Sequence, residues 1–387
     1  MAPTHKSTSK PLSAPIFLWR NLGKTLPLIG VILLAVMLIC GIVSMMNSIP
    51  HSIRTIYSYS SKFAAVTPRG DPDMPPKIVE RAQKDSPVPI EKVILCRATG
   101  VQVMSIVGKW PFANIGLRPA DMTYYIEKLG AKLSSGRLPK VGEPAAVISE
   151  PVARNLRLKI GSTLQSAENQ DAYSPKDVKV VGILESSEWI MLGDYEYQRA
   201  NHFPPVDGVL LFAKDGPSQT KLDDWALSAY KGERAQVLIF AELNRDTELM
   251  FRTLYRILNV VIATLVLVIT IMMGMLINIH QSQRTVEFGL LQALGFTKKR
   301  LIGRVVVETL WVVVIGWAIG ILVSYFLLVA VDRALMYPNA YALQTLDWQA
   351  FSYTTPVPFA IFSVGILTII HKFRTFDPVG IVERRIV

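Results

Sequence analysis

Residues 284–295 read Arg-Thr-Val-Glu-Phe-Gly-Leu-Leu-Gln-Ala-Leu-Gly, a short charged segment that lies between two long apolar runs. Its apolar residues recur at helical spacing and would share one side of a helix. They are Val286, Leu290, Ala293 and Leu294. Gly295 is a helix stop, and Thr297 is placed to cap the start of the next helix. The segment therefore predicts a short helix between two membrane spans.

The composition is typical of a membrane protein, because 50% of the 387 residues are hydrophobic and the mean hydropathy is +0.33. Four apolar runs reach the length of about 20 residues that a spanning helix needs. The last run contains Pro356 and Pro358, which are tolerated where neighbouring helices satisfy the freed carbonyl groups. The sequence therefore predicts four transmembrane helices.

The net charge of +11 is concentrated beside these runs. Residues 1–25 carry +4, residues 280–304 carry another +4, and residues 371–387 carry +2. Excess Lys and Arg marks the cytoplasmic side of a membrane protein, so both termini and the middle loop are predicted to be cytoplasmic. The basic charge thus needs no nucleic-acid partner, and none is expected.

The long segment between the first two spans predicts two stalk helices that carry an extracytoplasmic domain. Apolar residues continue near helical spacing after the first span and again along residues 242–256, before the second. Between them, residues 71–241 show short strand patterns at 101–107, 145–149, 178–184, 209–212 and 237–240, and helical patterns at 124–133 and 151–158. The fold class predicted is a four-helix membrane protein with a large α+β extracytoplasmic domain inserted between the first and second spans.

The predicted order along the chain is a cytoplasmic N-terminal segment (1–25), a first span (26–47), the stalks and domain (48–256), a second span (257–279), a cytoplasmic loop (280–304), a third span (305–331), an outer loop (332–350), a fourth span (351–370) and a cytoplasmic tail (371–387).

Two groups of residues resemble the FtsX/MacB permease family of mechanotransmission, or type VII, ABC transporters. The first is the pattern R-x-x-E-x-G-x-x-x-A-L-G at 284–295, followed by basic residues and by Glu308 at the start of the next span. The second is a G-R-x-P turn at Gly136 that leads to a strand, a short helix and the closing V-V-G-I of residues 180–183, which resembles a MacB-like periplasmic domain. The resemblance implies a location in the inner membrane, with a short cytoplasmic coupling helix between the second and third spans.

What the resemblance implies for function is the permease subunit of an ABC transporter, itself non-catalytic and without a cofactor. ATP and Mg²⁺ would be bound by separate cytoplasmic ATPase subunits. Their movement would drive export or extraction of a substrate at the periplasmic side, as in efflux or lipoprotein release. The residues implied in ATPase coupling are Arg284, Glu287, Phe288, Gly289, Leu290, Leu291, Ala293, Leu294 and Gly295.

Within that set, Arg284 and Glu287 would make polar contacts with the ATPase, and Phe288 or Leu291 would insert into its groove. Other expected partners are membrane lipid and a second permease copy or paralogue in a dimer, and a periplasmic adaptor is left open. Helix packing is predicted at the G-x-x-x-G of Gly316 and Gly320. Aromatic residues in the less typical stretch 165–205 are candidates either for partner contacts or for ordinary packing, namely Trp189, Tyr195, Tyr197 and Phe203.

Two alternatives to transport remain open from the sequence. The chain could be a non-transporting signalling subunit that relays the state of the ATPase to an extracytoplasmic enzyme or sensor. A membrane-anchored receptor is a third reading, which the coupling segment disfavours. The five histidines are isolated and no C-x-x-C or complete phosphate-binding motif occurs, so no metal or catalytic site is expected.

Overall fold

The computed structural model describes residues 21–374. These residues form a membrane unit (21–46, 254–331 and 344–374) and a domain unit (47–253 and 332–343). The predictions for residues 1–20 and 375–387 lie outside the described part of the chain.

Within residues 21–374, four long helices are apolar enough to cross a membrane. They are α1 (Leu22–Tyr57), α7 (Phe240–Gln283), α9 (Lys298–Val331) and α11 (Pro356–Arg374). A short helix, α8 (Thr285–Ala293), lies between α7 and α9, and α10 (Trp348–Tyr353) precedes α11. Pro356 begins α11, where its missing N–H costs no helical hydrogen bond, so the last apolar helix starts five residues later than the predicted span.

Close helix contacts in the membrane unit occur at glycines. A Cβ at Gly316 would lie 3.0 Å from the Cβ of Ile32, and one at Gly320 would lie 2.9 Å from the Cβ of Val36. The G-x-x-x-G of α9 therefore faces α1 of the same chain. Similarly, a Cβ at Gly274 of α7 would lie 2.9 Å from Val364 Cγ1 of α11. Small residues let helices approach in this way, because lipid supplies no hydrophobic force between them.

The domain unit contains one mixed sheet of ten strands. The strands are β1 (Ala64–Pro68), β2 (Ile90–Ser105), β3 (Gly108–Leu117), β4 (Lys132–Gly136), β5 (Ala145–Ser149), β6 (Thr163–Gln165), β7 (Val178–Glu185), β8 (Met191–Asp194), β9 (Gly208–Ala213) and β10 (Ala235–Leu238). Their order is β10-β1-β9-β2-β3-β8-β5-β7-β4, with β6 beside β7. The pairs β3–β8 and β5–β7 are parallel, and the other pairs are antiparallel.

Five helices accompany the sheet: α2 (Met74–Asp85), α3 (Pro119–Lys128), α4 (Glu150–Leu156), α5 (Tyr195–Ala200) and α6 (Gly216–Ala229). Strand β2 joins the two halves of the sheet, because its first part pairs with β9 and its second part with β3. The predicted α+β domain between the first two membrane helices is confirmed. The predicted helix at 124–133 lies earlier, because Pro119 starts it and Gly130, with a φ of +67°, follows its end.

Both predicted stalks are continuous with membrane helices. Helix α1 runs unbroken to Tyr57 and is followed by a 3-10 turn, Ser58–Lys62. Helix α7 begins at Phe240, so the predicted strand at 237–240 stops at Leu238. The stalks are joined by an ion pair in which Arg54 Nη2 lies 2.7 Å from Glu248 Oε1.

Residues 332–343 form a docked loop that packs on α4 within the domain unit. Asn155 Nδ2 donates to the carbonyl of Asn339 at 2.7 Å, and the guanidinium of Arg154 lies 4.4 Å from the ring centroid of Tyr337. The same Asn155 amide exchanges two hydrogen bonds of 2.8 Å with the backbone of Met104. The loop between α9 and α11 is therefore part of the domain's packing.

Three of the four candidate contact aromatics are core residues. Trp189, Tyr195 and Tyr197 are at most 6% exposed. Phe203 is half-buried, and its ring makes an edge contact with Tyr173. Packing, and not partner binding, accounts for the three buried rings.

Candidate functional site

Helix α8 is a single short helix held between α7 and α9. It ends where Gly295 adopts a φ of +90°, which places the backbone in the left-handed region that glycine favours. The Gly295 N–H donates to the carbonyl of Gln292 at 2.9 Å, and the Phe296 N–H donates to that of Leu291 at 3.1 Å. These two bonds form a Schellman cap, so the predicted helix stop lies at Gly295.

A buried ion cluster fixes the start of α8. Arg284 Nη1 donates to Glu308 Oε2 at 2.7 Å, and Arg284 Nε donates to Glu287 Oε2 at 3.0 Å. Arg304 Nε donates to the second oxygen of Glu308 at 2.9 Å. The side chains of Arg284 and Glu308 are only 4% and 5% exposed. Two arginines and two glutamates thus neutralise each other where α7, α8 and α9 meet.

The charge of Arg284 is maintained by its partners. Burial alone would lower the pKa of this guanidinium, but the hydrogen bonds to Glu287 and the charge of Glu308 outweigh burial and raise it. The stability of this arrangement depends on both carboxylates being in place, since an unpaired buried charge is strongly unfavourable.

Phe288 attaches α8 to α11. Its side chain is 4% exposed, and its ring centroid lies 5.1 Å from that of Phe373. The guanidinium carbon of Arg284 lies 5.0 Å from the same Phe288 ring, on which it can make a cation–π contact. Of the two residues predicted to insert into a partner's groove, Phe288 lies inside the membrane unit and Leu291 is partly buried, so insertion by Leu291 stays a prediction.

The opposite side of α8 is apolar and exposed. We call this surface the exposed ridge and define it as Val286, Leu290 and Leu294, which are 40%, 61% and 76% exposed. Exposed Lys298, Lys299 and Arg300 follow it at the start of α9. Adjacent accessible apolar side chains of this kind are candidates for contact with a partner protein or with lipid.

The structure sorts the predicted coupling residues into two groups. Arg284, Phe288 and Gly289 are buried, and Glu287 and Leu291 are partly buried. Leu290, Ala293, Leu294 and Gly295 are exposed. Sequence reasoning missed the roles of Arg304 and Phe373, although the i,i+4 spacing of Arg304 and Glu308 in a helix was an available signal.

Within residues 21–374, no group of three or more His, Cys, Asp or Glu side chains is placed to hold a metal ion.

Comparison with known families gives two matches in separate parts of the chain. Residues 27–224, just over half of the chain, match the MacB-like periplasmic core domain. Residues 259–376 match the FtsX-like permease C-terminal family. The chain belongs to the FtsX/MacB permease family. The resemblance read from residues 284–295 and from the domain motifs is thereby confirmed.

Three solved structures of domains are similar to part of this permease. The periplasmic region of MacB from Actinobacillus actinomycetemcomitans is 12% identical, with a TM-score of 0.29, and the match covers 48% of this chain and 92% of that one. The extracellular domain of the noncanonic ABC-type transporter YknZ from Gram-positive bacteria is 13% identical, with a TM-score of 0.28 and coverages of 46% and 98%. A domain of a permease protein from Porphyromonas gingivalis is 16% identical, with a TM-score of 0.26 and coverages of 46% and 91%. Among curated proteins, none matches the chain.

Membership of this family makes the chain a membrane subunit of the ABC permease type, a class that is generally non-catalytic and works with ABC ATPases. Its four apolar helices and its MacB-like domain fit an inner-membrane protein.

Proposed function

We propose that this permease couples ATP hydrolysis by separate ABC ATPase subunits to export or extraction of a substrate on the domain's side of the membrane. The single observation that carries the proposal is the exposed ridge of α8 on a helix whose other side is clamped into the membrane unit. ATP and Mg²⁺ belong to the ATPase, and the permease supplies the docking helix.

The ridge offers a plausible amount of binding energy for such docking. Leu290 and Leu294 are more than half exposed, and fully burying a leucine is worth about 1.5–3 kcal/mol. Glu287 is 40% exposed beside them, so it can accept a hydrogen bond from a partner while it holds Arg284. Because Arg284 is buried, we assign to Glu287 the polar contacts with the ATPase that were expected of Arg284.

A displacement of α8 would be passed to two membrane helices. The Arg284–Glu308 pair ties it to α9, and the Phe288–Phe373 contact ties it to α11. Helix α9 leads directly into the docked loop at residue 332. Such ties support mechanotransmission, in which two packings of the bundle differ by a few kcal/mol and the ATPase favours one.

The proposed topology places α8 and both termini in the cytoplasm. The domain follows the first span and α8 follows the second, so they lie on opposite membrane faces if all four helices cross. Excess Lys and Arg in the segments 1–25, 280–304 and 371–387 indicates that these segments lie on the cytoplasmic face. A dimer with a second copy or paralogue, in contact with membrane lipid, completes the proposed assembly.

The test is binding and activation of the cognate ABC ATPase by the full permease in lipid nanodiscs. Leu290→Glu puts a charge into the ridge without touching the ion cluster, and it should weaken binding by roughly tenfold to a hundredfold. Leu290→Met is the matched control, because it keeps an apolar side chain of similar volume. Glu287→Lys should reduce coupling, and because it also places a second cation beside the buried Arg284, its ATPase binding is compared with the wild type at equal amounts of folded protein.

Unchanged binding and unchanged ATPase stimulation in Leu290→Glu would refute docking through the ridge. With docking established, ATP-dependent movement of cargo in reconstituted vesicles tests transport directly. Normal ATPase coupling without any cargo movement would favour the signalling alternative.

A further inference from the structure

A second site lies wholly within the domain unit, at the junction of the stalks and the sheet. It is a partly enclosed cavity of about 340 Å³. Its walls come from the end of α1, the following 3-10 turn, the strands β1, β2, β3, β9 and β10, and the start of α7. Aromatic side chains supply much of the surface, among them Tyr59, Phe63 and Phe112.

The lining offers almost no polar group to a ligand. None of the described residues that line the cavity is charged. The Tyr57 hydroxyl donates to the carbonyl of Pro111 at 2.6 Å, and the Ser60 hydroxyl donates to that of Tyr57 at 2.7 Å. Burial raises the pKa of the Cys96 thiol to about 12, so this side chain is neutral as well. The cavity therefore suits an uncharged, apolar ligand.

The size of the cavity limits the ligand to a single chain or a small ring system. An engineered apolar cavity of about 150 Å³ binds benzene. At 340 Å³, this cavity has about twice that volume and would hold roughly a dozen carbon atoms by the same proportion.

The helices that border the cavity indicate where such a ligand comes from. Tyr57 is the last residue of α1, and Leu243 lies in the first turn of α7. These are the two helices that continue without a break into membrane spans. Apolar chains at least this long are abundant in a bilayer, as the acyl chains of its lipids.

We infer that this stalk-junction cavity binds about twelve carbons of one acyl chain, carried either by a membrane phospholipid or by a free fatty acid. The chain would lie among the aromatic rings with its polar head outside, since no lining residue can pair with a charge. The site is separate from α8 and needs neither an ATPase nor a nucleotide.

The experiment uses the full permease in nanodiscs, without dodecyl detergent, which would itself fill the site. Two probes carry the same photoactivatable twelve-carbon chain, one as the free fatty acid and one within a phospholipid. After irradiation, cross-linked peptides are mapped by mass spectrometry. We expect labelling of β1 and β3, residues 64–68 and 108–117, by at least one probe, and the probe that labels identifies the source.

Filling the cavity should abolish this labelling. Ala65 and Ala113 line the cavity from β1 and β3 and are half-buried, so Ala65→Phe and Ala113→Leu add volume without opening the core. Each buried methylene is worth about fourfold in affinity, so displacing several should reduce labelling by about tenfold or more. Ala120→Phe adds the same ring at an exposed position of α3 and should change nothing.

Monodisperse, folded Ala65→Phe or Ala113→Leu protein that still labels like the wild type would overturn the assignment. So would labelling confined to the membrane helices, or labelling of β1 and β3 by a compact aromatic photoprobe but by neither acyl probe. None of these results would bear on docking of an ATPase at α8, because the labelling requires no nucleotide.

Discussion

Replacing Glu308 by Gln should strongly destabilise the membrane unit. The carboxylate receives one bond from Arg284 at 2.7 Å and one from Arg304 at 2.9 Å, and it is 5% exposed. The amide keeps the shape but removes the charge. Arg284 would then remain buried with Glu287 as its only carboxylate partner among the described contacts.

The expected cost follows from the asymmetry of buried pairs. Removing one partner of a buried ion pair typically costs about 3–5 kcal/mol, because the other charge is left uncompensated. Since Glu287 still accepts from Arg284, we expect the lower end, about 3 kcal/mol. Because the entropy of unfolding grows with chain length, that would lower the melting temperature of the permease by roughly 4 °C.

The assay is thermal unfolding of the full permease in detergent, compared with a matched exposed pair. Arg54 and Glu248 are also 2.7 Å apart, but their side chains are 37% and 66% exposed. Glu248→Gln should therefore cost no more than about 1 kcal/mol. The Glu308→Gln effect should persist in high salt, because buried charges are screened much less than exposed ones.

A double change separates stability from coupling. In Arg284→Met combined with Glu308→Leu, both buried charges are gone, and stability should return to within about 1 kcal/mol of the wild type. Arg304, whose side chain is 18% exposed, can turn to water. ATPase stimulation should stay low, because α8 has lost its polar tie to α9. If Glu308→Gln melts like the wild type, or if its effect disappears in salt, the ion cluster is not buried as described.

Three further changes test the packing and charge of the two units. Gly320→Ala should destabilise the bundle, because its Cβ would lie 2.9 Å from α1, whereas Gly303→Ala on the same helix meets nothing within 4 Å and should be neutral or stabilising in thermal melts. Asn155→Ala should cost about 1–3 kcal/mol and speed hydrogen exchange in the docked loop, whereas unchanged exchange in residues 332–343 would contradict its docking role. Burial raises the pKa of Asp223 to about 6, so the folded state holds a proton that the unfolded chain loses, and stability should fall by about 3 kcal/mol as pH rises from about 4 to about 6. Asp223→Asn should remove that pH dependence in melting curves and stabilise the domain at pH 7.5, and an unchanged pH profile would refute it.

The membrane helices and the family could be read from the sequence because lipid imposes simple requirements. A spanning helix needs a long apolar run and leaves basic residues at one side, and both signals are strong here. The continuation of α1 and α7 as stalks was also readable, because helical spacing of apolar residues carries on beyond the spans.

Half of the sheet could not be predicted, for reasons visible in the strands themselves. Strand β3 contains Pro111 and begins at Gly108, which are poor strand signals. Strand β4 is exposed along its whole length, and β6 and β8 have only three and four residues. Such segments form strands because they pair with longer neighbouring strands. The residues of the segment itself do not encode that pairing, so it cannot be read from the local sequence.

The side of α8 that faces the protein was the hardest feature to predict, because this helix is apolar on both sides. Phe288 and Leu291 point one way, and Val286, Leu290 and Leu294 point the other. The periodicity of the sequence identifies the two apolar sides but does not tell which of them packs against the protein. The choice follows from Glu308, a buried carboxylate about three turns from the start of α9, which pairs with Arg284 while Phe288 packs on Phe373. A buried charge on a neighbouring element thus orients the helix, and the leucines are left exposed as its consequence.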